Sequence, residues 1–378
     1  MRSMENARID PERQEKARQY ARLSRRLILV DLTLGGVYLL AWLALGWSQA
    51  LRDLLLGWTT NPWLLTPAFG LVFGAVYAVL SLPLSYYEGF ILPHRYGMST
   101  QMRKDWVIDQ LKGAALGTVL GLLLLEVIYA ILRTYPQTWW LWAAGFMLLF
   151  NVLLANLAPV LLFPIFYKFT PLADEYQDLA QRLMRLAKQA GASVKGVFQF
   201  DMSRRSTAAN AALVGLGNTR RIILGDTLLK EFSSDEIETV LAHELGHHVN
   251  HDIPLGILIQ SLLTLAGFYL ASLALDWGVS SLGFSGPADV AAMPLLALVA
   301  ALFGLVTMPI GNAYSRWRET QADAYALRAT GKPAAFASAM TRLANQNLAE
   351  IEPEPWVEFL LYSHPALSKR IRMAQQYH

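Results

Sequence analysis

The sequence predicts a mainly α-helical, polytopic membrane protein of six or seven spans, interrupted by one polar region that contains a small β-sheet. Three observations carry that prediction. Of the 378 residues, 54% are hydrophobic and only 16% are charged, where a soluble globular protein carries roughly 25% charge. Six apolar stretches are long enough to cross a bilayer. A polar insert, 168–252, separates the fourth stretch from the fifth.

The elements follow in order. Residues 1–26 are polar and basic, ending in Arg22, Arg25 and Arg26, and read as an amphipathic or frayed arm. Spans fall at 27–47, 65–87, 112–132, 139–167, 253–277 and 290–312. The first is long for a secretory signal and lacks a small-residue cleavage site, so it reads as a retained anchor. The fourth is overlong and carries Pro159 and Pro164, which predicts a kink, tilt or break. Lys and Arg crowd the arm, the 88–111 loop, the polar insert and the tail, and are sparse in the other loops. That alternation predicts an even number of spans with both termini and the insert in the cytoplasm. Trp139, Trp140, Trp142 and Tyr167 suit an interfacial belt. Asp31, Glu126, Asn151 and Asn156 fall inside apolar runs, so they are expected to face protein or water rather than lipid.

Within the insert, Leu172, Tyr176, Leu179, Leu183 and Leu186 recur at helical spacing, with Gly191 placed as a cap. Segments 194–200 and 221–224 read as strands, with Gly215, Gly217 and Asn218 turning between strand-like pieces. Ser233 and Glu236 form a capping box that opens the next helix. Pro254 predicts a bend where that helix meets the bilayer.

Composition excludes several classes. Net charge is +3 and the isoelectric point is 9.0. No basic patch of the kind nucleic-acid binding needs is present. There is no cysteine, so disulfides are excluded and a metal must be held by His, Asp or Glu. No paired repeat halves suggest a transporter. The cysteine-free, Leu-, Ala- and Arg-rich composition points to a bacterial source, hence the inner cell membrane.

His243-Glu244-Leu245-Gly246-His247 reads as H-E-x-x-H in a helix, the signature of a zinc-dependent peptidase. Residues four apart share a helix face about 6 Å along the axis, so two imidazoles can grip one ion. Glu244 is then placed to take a proton from the attacking water. A third ligand is required. The metzincin spacing would need Gly at 250 and His at 253, where this chain has Asn250 and Ile253. His251 lies about 12 Å from His243 along the axis, too far to share an ion, and reads with His248 as a helix-end residue. Glu319 is the better candidate, giving a His-His-Glu set. Asp323, one turn on, is placed to orient a ligating imidazole.

The pentad, Glu319-x-x-Ala322-Asp323 and the apolar hairpin between them resemble the zinc CAAX prenyl endopeptidase family and its bacterial membrane-peptidase relatives. Asn210-Ala211 followed by Gly215 and 221–224 resembles the family's substrate-edge strand. Ser363-His364-Pro365 with Arg370-Ile371 resembles its C-terminal H-P-x-x-x-x-R segment. Gly97-Met98-Ser99-Thr100 and the stretch from Phe163-Pro164 to Pro171-Leu172 are also similar. The resemblance implies a gluzincin-type membrane endopeptidase holding one zinc ion per chain through His243, His247 and Glu319. It implies Glu244 as base, and Asp323 behind a zinc-bound histidine. It further implies that His364 and Arg370 face the substrate and stabilise its oxyanion, and that Asn210 and Ala211 hold the substrate main chain. Expected substrates are hydrophobic, prenylated or membrane-bound peptides and proteins. A quality-control protease of the heat-shock type, or a non-enzymatic scaffold, are the alternatives. The chain divides on this reading into 1–26, 27–167, 168–252, 253–312 and 313–378. Seven spans around a water-filled chamber are described for eukaryotic members, against the six that the charge alternation supports here.

Overall fold

The computed structural model describes residues 8–215 and 220–377. Gly217 and Asn218 lie outside them. In chain order, α1 (Pro11–Ala44), α2 (Trp47–Leu56), α3 (Pro62–Tyr86), α4 (Leu92–Arg95), α5 (Arg103–Thr134), α6 (Trp139–Leu157) and α7 (Phe163–Phe166) precede the polar region. That region holds α8 (Gln177–Gln189), α9 (Asp226–Glu231) and α10 (Ser234–Val249). The chain continues as α11 (Asp252–Ser281), α12 (Met293–Thr330), α13 (Pro333–Gln346), α14 (Pro355–Leu361) and α15 (Leu367–Gln375). Among the described residues six stretches are long and apolar enough to cross a membrane: Pro11–Ala44, Pro62–Arg95, Arg103–Thr134, Trp139–Phe166, Asp252–Ser281 and Val290–Thr330. They coincide with the six apolar runs.

Three boundaries differ from the sequence reading, each for a local reason, and one expected break forms. The basic arm is helical from Pro11 and continuous with the first span. Asp10 caps it by accepting from the Glu12 and Arg13 N–H groups, and Arg25 pairs with Glu350 at 3.0 Å. The fourth span does break: α6 opens into a π-helical turn, Ala158–Leu162, around Pro159 before α7, as a residue without an N–H requires. No bend forms at Pro254. Instead α10 ends at Val249 and α11 begins at Asp252, with His251 left-handed at φ 56 between them. Pro254 falls in the first turn of α11, where its missing N–H costs little. Finally, the boundary expected at 312/313 lies inside α12. That helix runs 38 residues unbroken, about 57 Å at 1.5 Å per residue, which exceeds a hydrocarbon core of about 30 Å. Glu319 rides on the overhang, so a membrane span and a ligand-bearing helix are one rod.

Three of the four polar inclusions of the spans have a partner on the protein, while Asn151 is exposed. Asp31 accepts from the Tyr77 hydroxyl at 3.2 Å, Glu126 lies 3.5 Å from Arg133, and Asn156 donates to the Val152 carbonyl at 2.8 Å.

The sheet has four strands, β1 (Phe169–Pro171), β2 (Val197–Phe200), β3 (Ala211–Val214) and β4 (Arg221–Gly225), in the order β1-β2-β4-β3. β2 and β4 are parallel and the outer pairings antiparallel, with Ala211 opposite Leu224 and Val214 opposite Arg221. β3 is therefore an edge. Successive side chains point to opposite faces, so Ile222 and Leu224 enter a core with Leu183 of α8 and Ile237 and Leu241 of α10. α8 ends as its glycine predicts: Gly191 has φ 69, and Ala192 N–H closes on the Ala187 carbonyl at 2.9 Å, a Schellman motif. A second core lies among the spans, built on Phe69, Tyr129, Leu132, Trp139 and Leu275.

Candidate active site

The catalytic helix starts where the capping box places it. Ser233 accepts from the Glu236 N–H at 3.3 Å, and the Glu236 carboxylate accepts from the Ser233 N–H at 2.7 Å. Glu236 is buried and also accepts from Ser338 at 2.5 Å and Arg342 at 2.8 Å. One side chain thus caps α10 and ties it to α13. About three turns on, α10 crosses α12 at Gly246. A β-carbon built there would sit 2.8 Å from Ala322 Cα, so the fourth residue of the pentad must be glycine for the two backbones to meet. That contact brings Glu319, three residues before Ala322, over the paired histidines.

The geometry is that of a ligand set. His243 Nε2 lies 3.3 Å from His247 Nε2 and 3.2 Å from Glu319 Oε2. His247 Nε2 lies 3.4 Å from Glu319 Oε1. Tetrahedral bonds of 2.0–2.1 Å put neighbouring ligand atoms about 3.3 Å apart. Glu319 Oε2 is buried without a hydrogen-bond partner, a state that costs several kcal/mol unless a cation faces it. The three residues are the group able to hold a metal among the described residues.

Each imidazole is oriented through its other nitrogen. His243 Nδ1 is 2.8 Å from Asp323, and Arg370 grips both Asp323 oxygens, at 2.8 and 2.6 Å. His247 Nδ1 is 2.7 Å from Asp252, which accepts from Arg318 Nε at 2.5 Å. Burial opposes a charged His243, but the Asp323 and Glu319 carboxylates outweigh it and push its pKa up to about 9. The same negative field favours a divalent cation. Burial raises the Glu244 pKa, with the two histidines opposing, so its carboxylate is more basic than usual, as suits a general base.

His364, in the turn between α14 and α15, brings Nε2 to 3.3 Å from Glu319 while staying 59% exposed. That turn is held by α12. Arg316 donates to the Tyr362 carbonyl at 2.6 Å and to that of Glu358 at 2.8 Å, and Asn312 to that of Leu360 at 2.7 Å.

Comparisons with known proteins agree with this geometry. Residues 3–168 match the CAAX prenyl protease N-terminal family, described by five membrane helices, and residues 173–378 match peptidase family M48. This chain belongs to peptidase family M48. An uncharacterised metalloprotease of Bacillus subtilis is 28% identical over 97% of this chain and 87% of its own length. A CAAX prenyl protease 1 homologue of Arabidopsis thaliana is 33% identical over 78% of this chain and 69% of its own. CAAX prenyl protease 1 of Saccharomyces cerevisiae is 31% identical over 78% and 68%. The crystal structure of S. mikatae Ste24p superposes with a TM-score of 0.85 at 26% identity, covering all of this chain and 91% of that one. The chain is thus a multi-pass membrane metalloendopeptidase of a zinc-dependent family. Where the N-terminal family has five membrane helices, this M48 member has four long ones among its described residues. The ten-residue α2 is about 15 Å long and too short to cross.

The structure brings His243, Glu244, His247, Glu319, Asp323 and His364 together. Arg370, expected to face the substrate, is engaged from behind in this structure. That guanidinium is buried and bidentate on Asp323, 3.3 Å from His243 Nδ1, so it supports a candidate ligand. The reason is charge: Asp323 is buried and an unpaired buried carboxylate is costly. Asn210 is exposed, immediately before β3, and Ala211 is the first residue of that edge strand. Asp252, Arg318, Arg316 and Asn312 were missed by the sequence reading. The usable signal was Asp252 five residues beyond His247, since a ligating histidine nearly always has a carboxylate or carbonyl on its second nitrogen.

Proposed function

We propose that this protein hydrolyses peptide bonds of hydrophobic, membrane-bound substrates, prenylated CAAX-type peptides among them, at a single zinc ion held by His243, His247 and Glu319. The observation that supports it is the spacing of three ligand atoms at 3.2–3.4 Å, with a raised-pKa Glu244 in the same helix. A zinc ion held by these three residues would supply Lewis acidity for the scissile carbonyl and for the attacking water. Glu244 takes the proton from the attacking water and passes it to the leaving nitrogen. His364 donates toward the developing oxyanion from the exposed side, a contribution of about 3 kcal/mol for one well-placed donor. Asp323 with Arg370 holds His243, and Asp252 with Arg318 holds His247. Asn210 and Ala211 receive the substrate main chain beside the edge strand, in the manner of strand addition.

The Lys and Arg distribution supports a cytoplasmic site, and the composition supports a bacterial inner membrane. The CAAX prenyl protease names of the relatives from Arabidopsis thaliana and Saccharomyces cerevisiae support prenylated substrates. The test is cleavage of a farnesylated peptide and its unmodified twin, with and without chelator. Chelator-reversible cleavage favouring the farnesylated peptide is the expected result. Equal cleavage of both would favour the broad quality-control reading. Glu244→Gln should retain the metal and cut cleavage by about 10²–10⁴-fold, the usual weight of a general base. Full activity in that variant overturns the assignment.

A further inference from the structure

A second site lies on the other side of the sheet. Arg221 and Ile223 of β4 point away from the α10 core that takes Ile222 and Leu224. With Phe198 and Val214 beside them, they line a cleft of about 470 Å³ whose opposite wall is the end of the fourth span, Pro159, Val160, Pro164 and Ile165. Four cations border it, Lys112, Lys168, Arg204 and Arg221, against one carboxylate, Asp201.

Three of these four cations have no carboxylate partner among the described residues. Lys112 donates to the Ile165 carbonyl at 3.0 Å, and Arg221 lies over the Phe198 ring at 5.3 Å. Asp201 accepts from the Lys168 backbone N–H at 2.8 Å. Among the described residues only Arg204 of the four has a carboxylate partner, Asp105, at 3.4 Å. Repulsion among like charges disfavours such a cleft unless an anion enters it. The wall formed by the span points to the anion's carrier: Val160 and Ile165 are 47% and 39% exposed on a stretch apolar enough to cross a membrane. A cationic pocket at the end of a span, continuous with exposed apolar side chains, matches a lipid whose phosphate and chains are bound together.

We propose that this cleft binds the phosphate headgroup of an anionic phospholipid, with an acyl chain along Val160 and Ile165. It is separate from the His243, His247 and Glu319 group, being on the opposite face of the sheet from α10. The lipid would anchor the polar region against the end of the fourth span.

The test uses the full-length protein in neutral detergent micelles, titrated with fluorescent phosphatidylglycerol or phosphatidylcholine. Phosphatidylglycerol should bind more tightly, and the preference should weaken with salt. Lys112→Gln and Lys168→Gln should each weaken it about fivefold, the equivalent of about 1 kcal/mol per cation, while zinc content and thermal melting stay as in the wild type. Lys168 is exposed, so its variant keeps the test open if the Lys112 variant does not fold. Equal affinity for the two lipids, or unchanged phosphatidylglycerol affinity in a folded variant, overturns the proposal. Displacement of the lipid by millimolar inorganic phosphate assigns the cleft to free phosphate and overturns the lipid assignment as well.

Discussion

The two histidines of the pentad are held by the same device at two different depths. On the His243 side the imidazole, Asp323 and Arg370 are 9%, 1% and 9% exposed. On the His247 side the imidazole, Asp252 and Arg318 are 27%, 15% and 12% exposed. Both are imidazole–carboxylate–guanidinium chains, and α12 supplies a member of each, Asp323 to the first and Arg318 to the second. Electrostatic interactions strengthen as water is excluded, and so does the penalty for breaking one. The inner chain should therefore decide whether the site assembles, and the outer one should tune it.

Breaking the guanidinium of each chain tests that most strongly. Arg370→Met leaves Asp323 buried and unpaired and should cost about 3–5 kcal/mol, visible as a large fall in melting temperature. Arg318→Met exposes its partner to water and should cost well under half as much. Equal losses would break the comparison. The carboxylates come next. Asp323→Asn should lower zinc affinity about 100-fold and Asp252→Asn about tenfold, the two ends of the range for residues that orient metal ligands, measured by competition with a chelator. The smallest effect serves as a control. Ser233→Ala removes the α10 cap and should cost about 1 kcal/mol of stability, with zinc affinity unchanged at both histidines.

Much of this site was legible because its signals are local. The pentad places two ligands on one helix face by periodicity alone, and Ser233 with Glu236 fixes where that helix starts. Glu319 required one further step, the demand of the ion for a third ligand. Gly246 and Ala322 were on the page as small residues, but their role is a contact between helices distant in sequence, and no spacing rule reveals which pair will meet. Arg370 shows the limit in another way. Its motif was recognised, yet the direction of its side chain depends on a buried carboxylate 47 residues away, which no local spacing reveals. In the fold, the six spans followed from hydropathy. The fusion of the sixth with the Glu319 helix did not, because the change from apolar to polar at 312 is a change of composition within one continuous helix.

The central claim is that His243, His247 and Glu319 hold one zinc ion. Zinc-edge X-ray absorption on the purified full-length protein, beside its Glu319→Gln variant, tests it most directly. The account predicts one zinc per chain with two imidazole nitrogens and a carboxylate oxygen at about 2.0–2.1 Å, and loss of that signature in the variant. A wild-type spectrum without two imidazoles, or a variant with full zinc and unaltered coordination, would contradict it.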